Sequence, residues 1–464
     1  MRAILFLVLA LFVVPLAQAA EPLEVGVAVR DITPPVGYRM SGYFYERPST
    51  GVHDPLHAKA LVLRQGETSA AFVFCDLIGL SKELSDQARK LASEKTKIPA
   101  KNILIAATHS HTGPLYAGAL RDHFHALAVA KHGHDPSETV DLPVQMAQHI
   151  AAAIEAADKA AQPVQVKSGA VDQTGLSFNR RFHMKDGTVR FNPGRKNPEI
   201  VRVAGPIDPS IQRVEFWSSK DHSALAMLTV FALHLDTVGG TEFSADYPHY
   251  LQRAYRQALG EKFVSLFGAG TCGDINHIDV TADDQPKGQA MAEHLGTSLA
   301  KPVIANLPES VPVKDIRLAV HSSLVACPLQ SYSAEEMEKA QANFPKIGGK
   351  GLTFLEQVEA CKIVALQSLP KEKLDLEVQV FRLNDDLAIV GLPGEVFVEL
   401  GLAIKDRSPF KQTIVMELCN QTPAYIPTKK AFAEGSYETV NSVVQPGGGE
   451  LLVDEAVKLL EQLK

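Results

Sequence analysis

Short apolar runs of strand length alternate with amphipathic stretches of helix length along almost the whole chain. ALVLRQGETSAAFVFCDLIGL (60–80) reads as strand, turn at Gly66, strand. SKELSDQARKLASEK follows with a serine cap and helical spacing. KNILIAA (101–107) is the kind of run a buried strand requires. The spacing then predicts a helix over 141–161, a strand over 163–170, and a strand pair from IQRVEFWSS to SALAMLTVFAL. Helices follow at 246–259 and 285–300, around a strand at 263–267. Two helices fall within 333–366, strands within 375–392, a helix at 395–406 and a strand at 412–418. GGGELLVDEAVKLLEQLK closes the chain as a helix. This alternation argues an α/β fold. Tight turns between several strand pairs impose antiparallel pairing, so the sheet is mixed and flanked by helices. No repeat, low-complexity tract or linker interrupts it. One large domain over 21–464 is the expectation.

Residues 1–20, MRAILFLVLALFVVPLAQAA, read as a signal peptide: Arg2, an apolar stretch from Ile4 to Leu16, then a small-residue cleavage site, Ala17-Gln18-Ala19. The chain is therefore expected to be secreted or periplasmic. The net charge is −7 and no basic stripe appears, which argues against a nucleic-acid partner. Nothing in the sequence points to a protein partner. The five cysteines show no C-x-x-C spacing, which argues against a cysteine zinc site. Cys75 and Cys419 lie in apolar runs and read as core.

Five apolar strands end in polar groups: ILIAATHSHTGP, LTVFALHLDT, VSLFGAGTCGDINH, LAIVGLPGEVF and IVMELCNQTPAYIPT. Sites in open α/β sheets gather at such strand ends. In an extended segment His109 and His111 point the same way and can reach one site. They equally suit a polar turn before Pro114. His234 reads alone as a core histidine, and Glu395 as a first-turn residue stabilised by its helix dipole. A denser cluster, RDHFHALAVAKHGHD (121–135), reads as a surface or pocket-lid loop.

In order, GVAVRDITPPVGYRMSGY, ATHSHTGP, FALH, GDINH, LPGEVF and YIPTKKAFAEGSYE resemble the motifs of the neutral (alkaline, non-lysosomal) ceramidases. The resemblance spans residues 25–464. It implies one zinc ion held by His109, His234, Glu395 and Tyr425. Two imidazoles and a carboxylate are ordinary zinc ligands. A divalent cation lowers a phenol's pKa enough for ligation. The resemblance also assigns His111 to substrate contact or proton transfer, Tyr437 to the oxyanion, Arg180 to a polar substrate group, and Asp274 to orienting a ligand. Where the family usually reads Gly-Asp-Val-Ser-Pro-Asn, this chain reads Gly-Asp-Ile-Asn-His. Asn276 replaces the serine, which excludes serine-nucleophile chemistry from that position.

The implied activity is a zinc-dependent amidohydrolase that splits ceramide, or a related N-acyl lipid, into fatty acid and sphingosine, with possible peripheral membrane contact. Zinc would supply a water activated near neutral pH. The family's characterised members continue into an immunoglobulin-like C-terminal domain, and the expectation here is the catalytic domain alone. Substrate identity is therefore open to another amide or ester, including cell-wall or sugar-linked amides. A catalytically silent binding protein of the same fold is a further reading.

Overall fold

The computed structural model describes residues 21–369 and 372–464, so the predicted signal peptide lies outside the described residues. Mixed α/β architecture is what the chain forms. Its large sheet runs Val264–Ala269, Ala224–Phe231, Ser210–Ser218, Gln162–Asp172, Glu24–Asp31, His57–Gln65, Thr68–Cys75, Ile103–Ala107, with Val311–Pro312 beside Gln162–Asp172. A second sheet runs Ala319–Pro328, Lys373–Arg382, Leu387–Gly391, Gln412–Met416. Helices cover the outer faces.

The sequence shows no repeat, yet the connectivity repeats three times. Each unit is three successive antiparallel strands, a helix, a fourth strand parallel to the third, and a second helix. In the first unit the helices are Lys82–Thr96 and Leu142–Lys159. In the second they are Tyr247–Leu259 and Gln289–Ala305. In the third they are Val398–Arg407 and Gly448–Leu463. The two helices of each unit pack against each other. The first and second units join through their first strands, Glu24 opposite Pro163.

The three fourth strands meet near one axis. Ala107 donates its backbone N–H to Leu418 at 3.1 Å, Asn420 to Ile105 at 2.7 Å, and Glu417 to Ala269 at 3.0 Å. Two glycines permit this approach. A Cβ on Gly268 would sit 2.6 Å from the Met416 sulfur, and one on Gly391 would sit 2.3 Å from a Leu104 methyl. Between the sheets Phe72, Phe74, Leu104, Leu228, Leu266, Phe381, Ile389, Ile414 and Met416 form a continuous apolar core. Burying roughly 25 cal/mol per Å² of apolar surface makes this layer a main source of cohesion.

Within a unit the first, third and fourth strands run the same way. Three connections therefore fall at one end of each unit: from first strand to second, and those following the third and fourth strands. Nine loops converge around the axis.

Two local expectations are corrected. Residues 119–132 form a helix, Ala119–His132, closed by Gly133 at φ 79°, and not a loop. Its helix formers Ala119, Leu120, Ala126, Leu127 and Ala128 outweigh the polar histidines. Glu395 does not start a helix. It lies in a two-residue strand paired with Tyr425–Ile426, and the helix begins at Val398. All five cysteines are free thiols, and Cys75 and Cys419 are core as expected. Among the described residues, no helix is long and apolar enough to cross a membrane.

Candidate active site

The loops after the fourth strand of unit one and the third strand of unit two bring His109 and His234 together. His109 has φ 82°, a conformation a non-glycine residue adopts only when its surroundings impose it. The expected extended segment is therefore a sharp turn. Ser110 and Thr112 hold that turn by donating to the Ser244 carbonyl at 2.6 and 2.9 Å. The left-handed residue, and not strand alternation, aims the His109 ring at His234.

His109 Nδ1 donates to the Ile78 carbonyl at 2.6 Å, and His234 Nδ1 to the Cys272 carbonyl at 3.2 Å. These bonds place a hydrogen on each Nδ1 and leave Nε2 as the free position. The two Nε2 atoms are 2.8 Å apart, and His111 Nε2 is 3.4 Å from that of His109. Glu395 Oε2 lies 3.3 Å from His109 Nε2 and 3.6 Å from His234 Nε2. It is buried and accepts no hydrogen bond. Tyr425 stands beside Glu395 in register, fully buried, and accepts from Arg180 at 3.0 Å.

Such a set requires a cation. Two lone pairs facing across 2.8 Å repel unless something positive lies between them. Without a metal, a proton takes that place. Burial pulls His109 down, but the Glu395 carboxylate outweighs it and lifts the ring above its ordinary value. Burial and the neighbouring His109 push His234 well below. Burial, then the Glu395 charge, keep the Tyr425 phenol protonated, while Arg180 acts the other way. The imidazoles of His109, His111 and His234, with the orphaned carboxylate oxygen and the phenolic oxygen beside them, form a group of donors that fits a metal ion.

Walls rise from the first-to-second-strand connections. Unit one contributes Tyr43, Phe44 and Tyr45, unit two Arg180 and Phe191, unit three Gly348, Phe354 and Gln357. With His111, His234, Asp236, Tyr425 and Tyr437 they enclose a cavity of about 400 Å³. Glu395 instead faces a second cavity of about 300 Å³, between Ile78–Ser81 and Thr422–Ala424.

Of the expected residues, His111, Arg180 and Tyr437 line the main cavity. Burial pushes His111 down to about 4, which leaves it a neutral base. Burial pushes Tyr437 up to about 12, which leaves it a hydroxyl donor. Arg180, not Arg181, faces the cavity. Its Nε bonds Glu438 at 2.9 Å, while Arg181 turns to Glu438, Glu434 and the Gly435 carbonyl. Asp274 does not line the cavity. Its oxygens accept from Asn179 at 2.7 Å and from the Val398 N–H at 2.9 Å, so it anchors the Arg180 strand and the helix after Glu395.

Three participants were missed. Glu438 holds both arginines. Glu417 accepts from Cys272 and Val396 N–H groups at 3.1 and 2.6 Å, joining the loops that position His234 and Glu395. Asp236 lines the cavity, and its spacing in His234-Leu235-Asp236 was the available signal.

The RDHFHALAVAKHGHD cluster gathers elsewhere. His125 Nδ1 lies 2.8 Å from Asp135 and 3.2 Å from Glu138. Arg39 grips Asp135 at 2.6 and 2.9 Å, and Arg121 bonds Glu138 at 2.8 Å.

The family described as neutral/alkaline non-lysosomal ceramidase, N-terminal, matches residues 23–284. The neutral ceramidase of Pseudomonas aeruginosa is 22% identical, over 95% of this chain and 73% of that protein. The crystal structure of neutral ceramidase from that organism superposes with a TM-score of 0.72 at 19% identity, covering 95% of this chain and 75% of the other. A ceramidase complexed with C2 superposes at 0.69 and 18% identity, covering 95% and 76%.

Proposed function

Because the chain belongs to the neutral/alkaline non-lysosomal ceramidase family, we propose that it is a metal-dependent amidohydrolase cleaving the N-acyl bond of ceramide-type lipids. The observation that carries this reading is the facing pair of imidazole Nε2 atoms beside an orphaned carboxylate oxygen, reached from an aromatic-walled cavity that His234 and Tyr425 line.

His109, His234, Glu395 and Tyr425 would hold one zinc ion. When bound, the ion supplies Lewis acidity and lowers the pKa of water. His111, neutral and facing the cavity, accepts the proton from the attacking water and returns it to the leaving amine nitrogen. The Tyr437 hydroxyl donates toward the oxygen on which negative charge develops. Arg180 steadies the Tyr425 oxygen and is itself fixed by Glu438. Tyr43, Phe44, Tyr45, Phe191 and Phe354 offer the aliphatic chains an apolar wall and exclude water. Residues 1–20 support export on the sequence alone.

The test is metal analysis of the purified chain with turnover of a fluorescent ceramide, with and without chelator. About one zinc per chain and chelator-sensitive release of fatty acid are expected. A folded protein without metal would end the zinc reading, and metal without lipid turnover would end the ceramide reading.

A further inference from the structure

Asp236 is the one carboxylate among the described residues lining the main cavity. It arrives two residues after His234, on the loop whose Leu235 carbonyl accepts the His111 N–H at 3.2 Å. Its Oδ1 lies 3.1 Å from His277 Nδ1. The His277 loop is held in turn, because Gln285 donates to the His277 carbonyl at 3.1 Å. Oδ2 has no hydrogen-bond partner among the described residues, and the side chain stays 22% exposed toward the cavity. A carboxylate with one oxygen fixed and one free is built to accept. The other charged group of the cavity is spent: Arg180 is paired with Glu438 and bonded to Tyr425. His277 occupies the proline position of the family's Gly-Asp-Val-Ser-Pro-Asn pattern, so the pair belongs to this chain's own sequence.

We infer that Asp236, held by His277, accepts a hydrogen bond from a hydroxyl on the substrate head next to the scissile amide, and so selects N-acyl amino alcohols over N-acyl alkylamines. The inference rests on the amidohydrolase reading above. Hydrogen bonds to a charged group, in a site that excludes water, discriminate strongly against a substrate lacking the donor.

Two probes with the same acyl chain test it: a long-chain N-acyl-2-amino-1,3-diol and an N-acyl alkylamine. For the wild type, kcat/KM for the diol is expected to exceed that for the alkylamine by about 10- to 100-fold. Asp236→Ala should bring that ratio close to one. Asp236→Asn, which keeps an acceptor oxygen but not its charge, should fall between. Bound metal is measured in every variant. An unchanged ratio in Asp236→Ala overturns the inference, as does a ratio lost only together with the metal. Equal cleavage of both probes by the wild type overturns it while leaving the amidohydrolase reading intact. A metal-loaded wild type that cleaves neither overturns both.

Discussion

Among the described residues, two clusters of histidine and carboxylate with ligand-like spacing are opposites. Around His125, Asp135 and Glu138 every carboxylate already has its counter-charge, from Arg39 and Arg121. Around His109, His234 and Glu395, an acceptor oxygen is left without a partner and two ring nitrogens face each other. The first cluster is a closed ion-pair network that ties the helix Ala119–His132 to the chain near Arg39. The second is incomplete without a cation. Density of ligand-type residues is thus a poor guide to a metal site; unspent acceptors are a better one.

The contrast can be broken at either end. His109→Ala removes one donor and the turn that presents it. Loss of bound zinc and at least about a 10³-fold fall in turnover are expected, read by metal analysis and fluorescent ceramide assay. His111→Ala should retain zinc and lose about 10²- to 10⁴-fold in kcat, the range of a general base. Loss of zinc in that variant would make His111 a ligand and redraw the centre.

At the closed cluster, Arg39→Met leaves Asp135 buried without its partner. A cost of about 3–5 kcal/mol is expected in denaturant unfolding, with metal content unchanged. The smallest effect concerns pH. Burial opposes ionisation of Asp135, but hydrogen bonds from Arg39 and Ser137 prevail and hold its carboxyl below the ordinary value. A depressed acid stabilises the fold above its unfolded pKa of about 4 and ceases to do so as pH falls through its lower folded value. The stability advantage of wild type over Asp135→Asn should therefore shrink below about pH 4 in acid titration of unfolding. A constant difference would remove Asp135 from the linkage.

Much of this was legible beforehand. Apolar runs and their turns marked the strands, and the motif order marked His109, His234, Glu395 and Tyr425 as a set that the structure brings together. Other features were not legible. The resemblance assigned Asp274 to orienting a ligand, but which groups it holds was not readable: its carboxylate binds Asn179 and the Val398 N–H and does not line the cavity. Glu395 looked like a helix residue because a helix does begin three positions later. Glu417 gave no signal, since a glutamate at the end of a strand reads as solvated until the fold buries it.

By itself the sequence determined many of the strands and helices, because burial pattern and capping act over a few residues, though not the helix Ala119–His132 or the strands Glu24–Asp31 and Ala319–Pro328. It determined the chemistry available at the strand ends as well. Only the tertiary structure decided that the chain is three like units. Strand order and parallel pairing depend on contacts between residues far apart in sequence, and unlike side chains can satisfy the same pairing. It also decided which strand ends share the axis. That meeting rests on Gly268 and Gly391 giving up their side-chain volume, on His109 turning left-handed, and on whether each buried charge already has a partner.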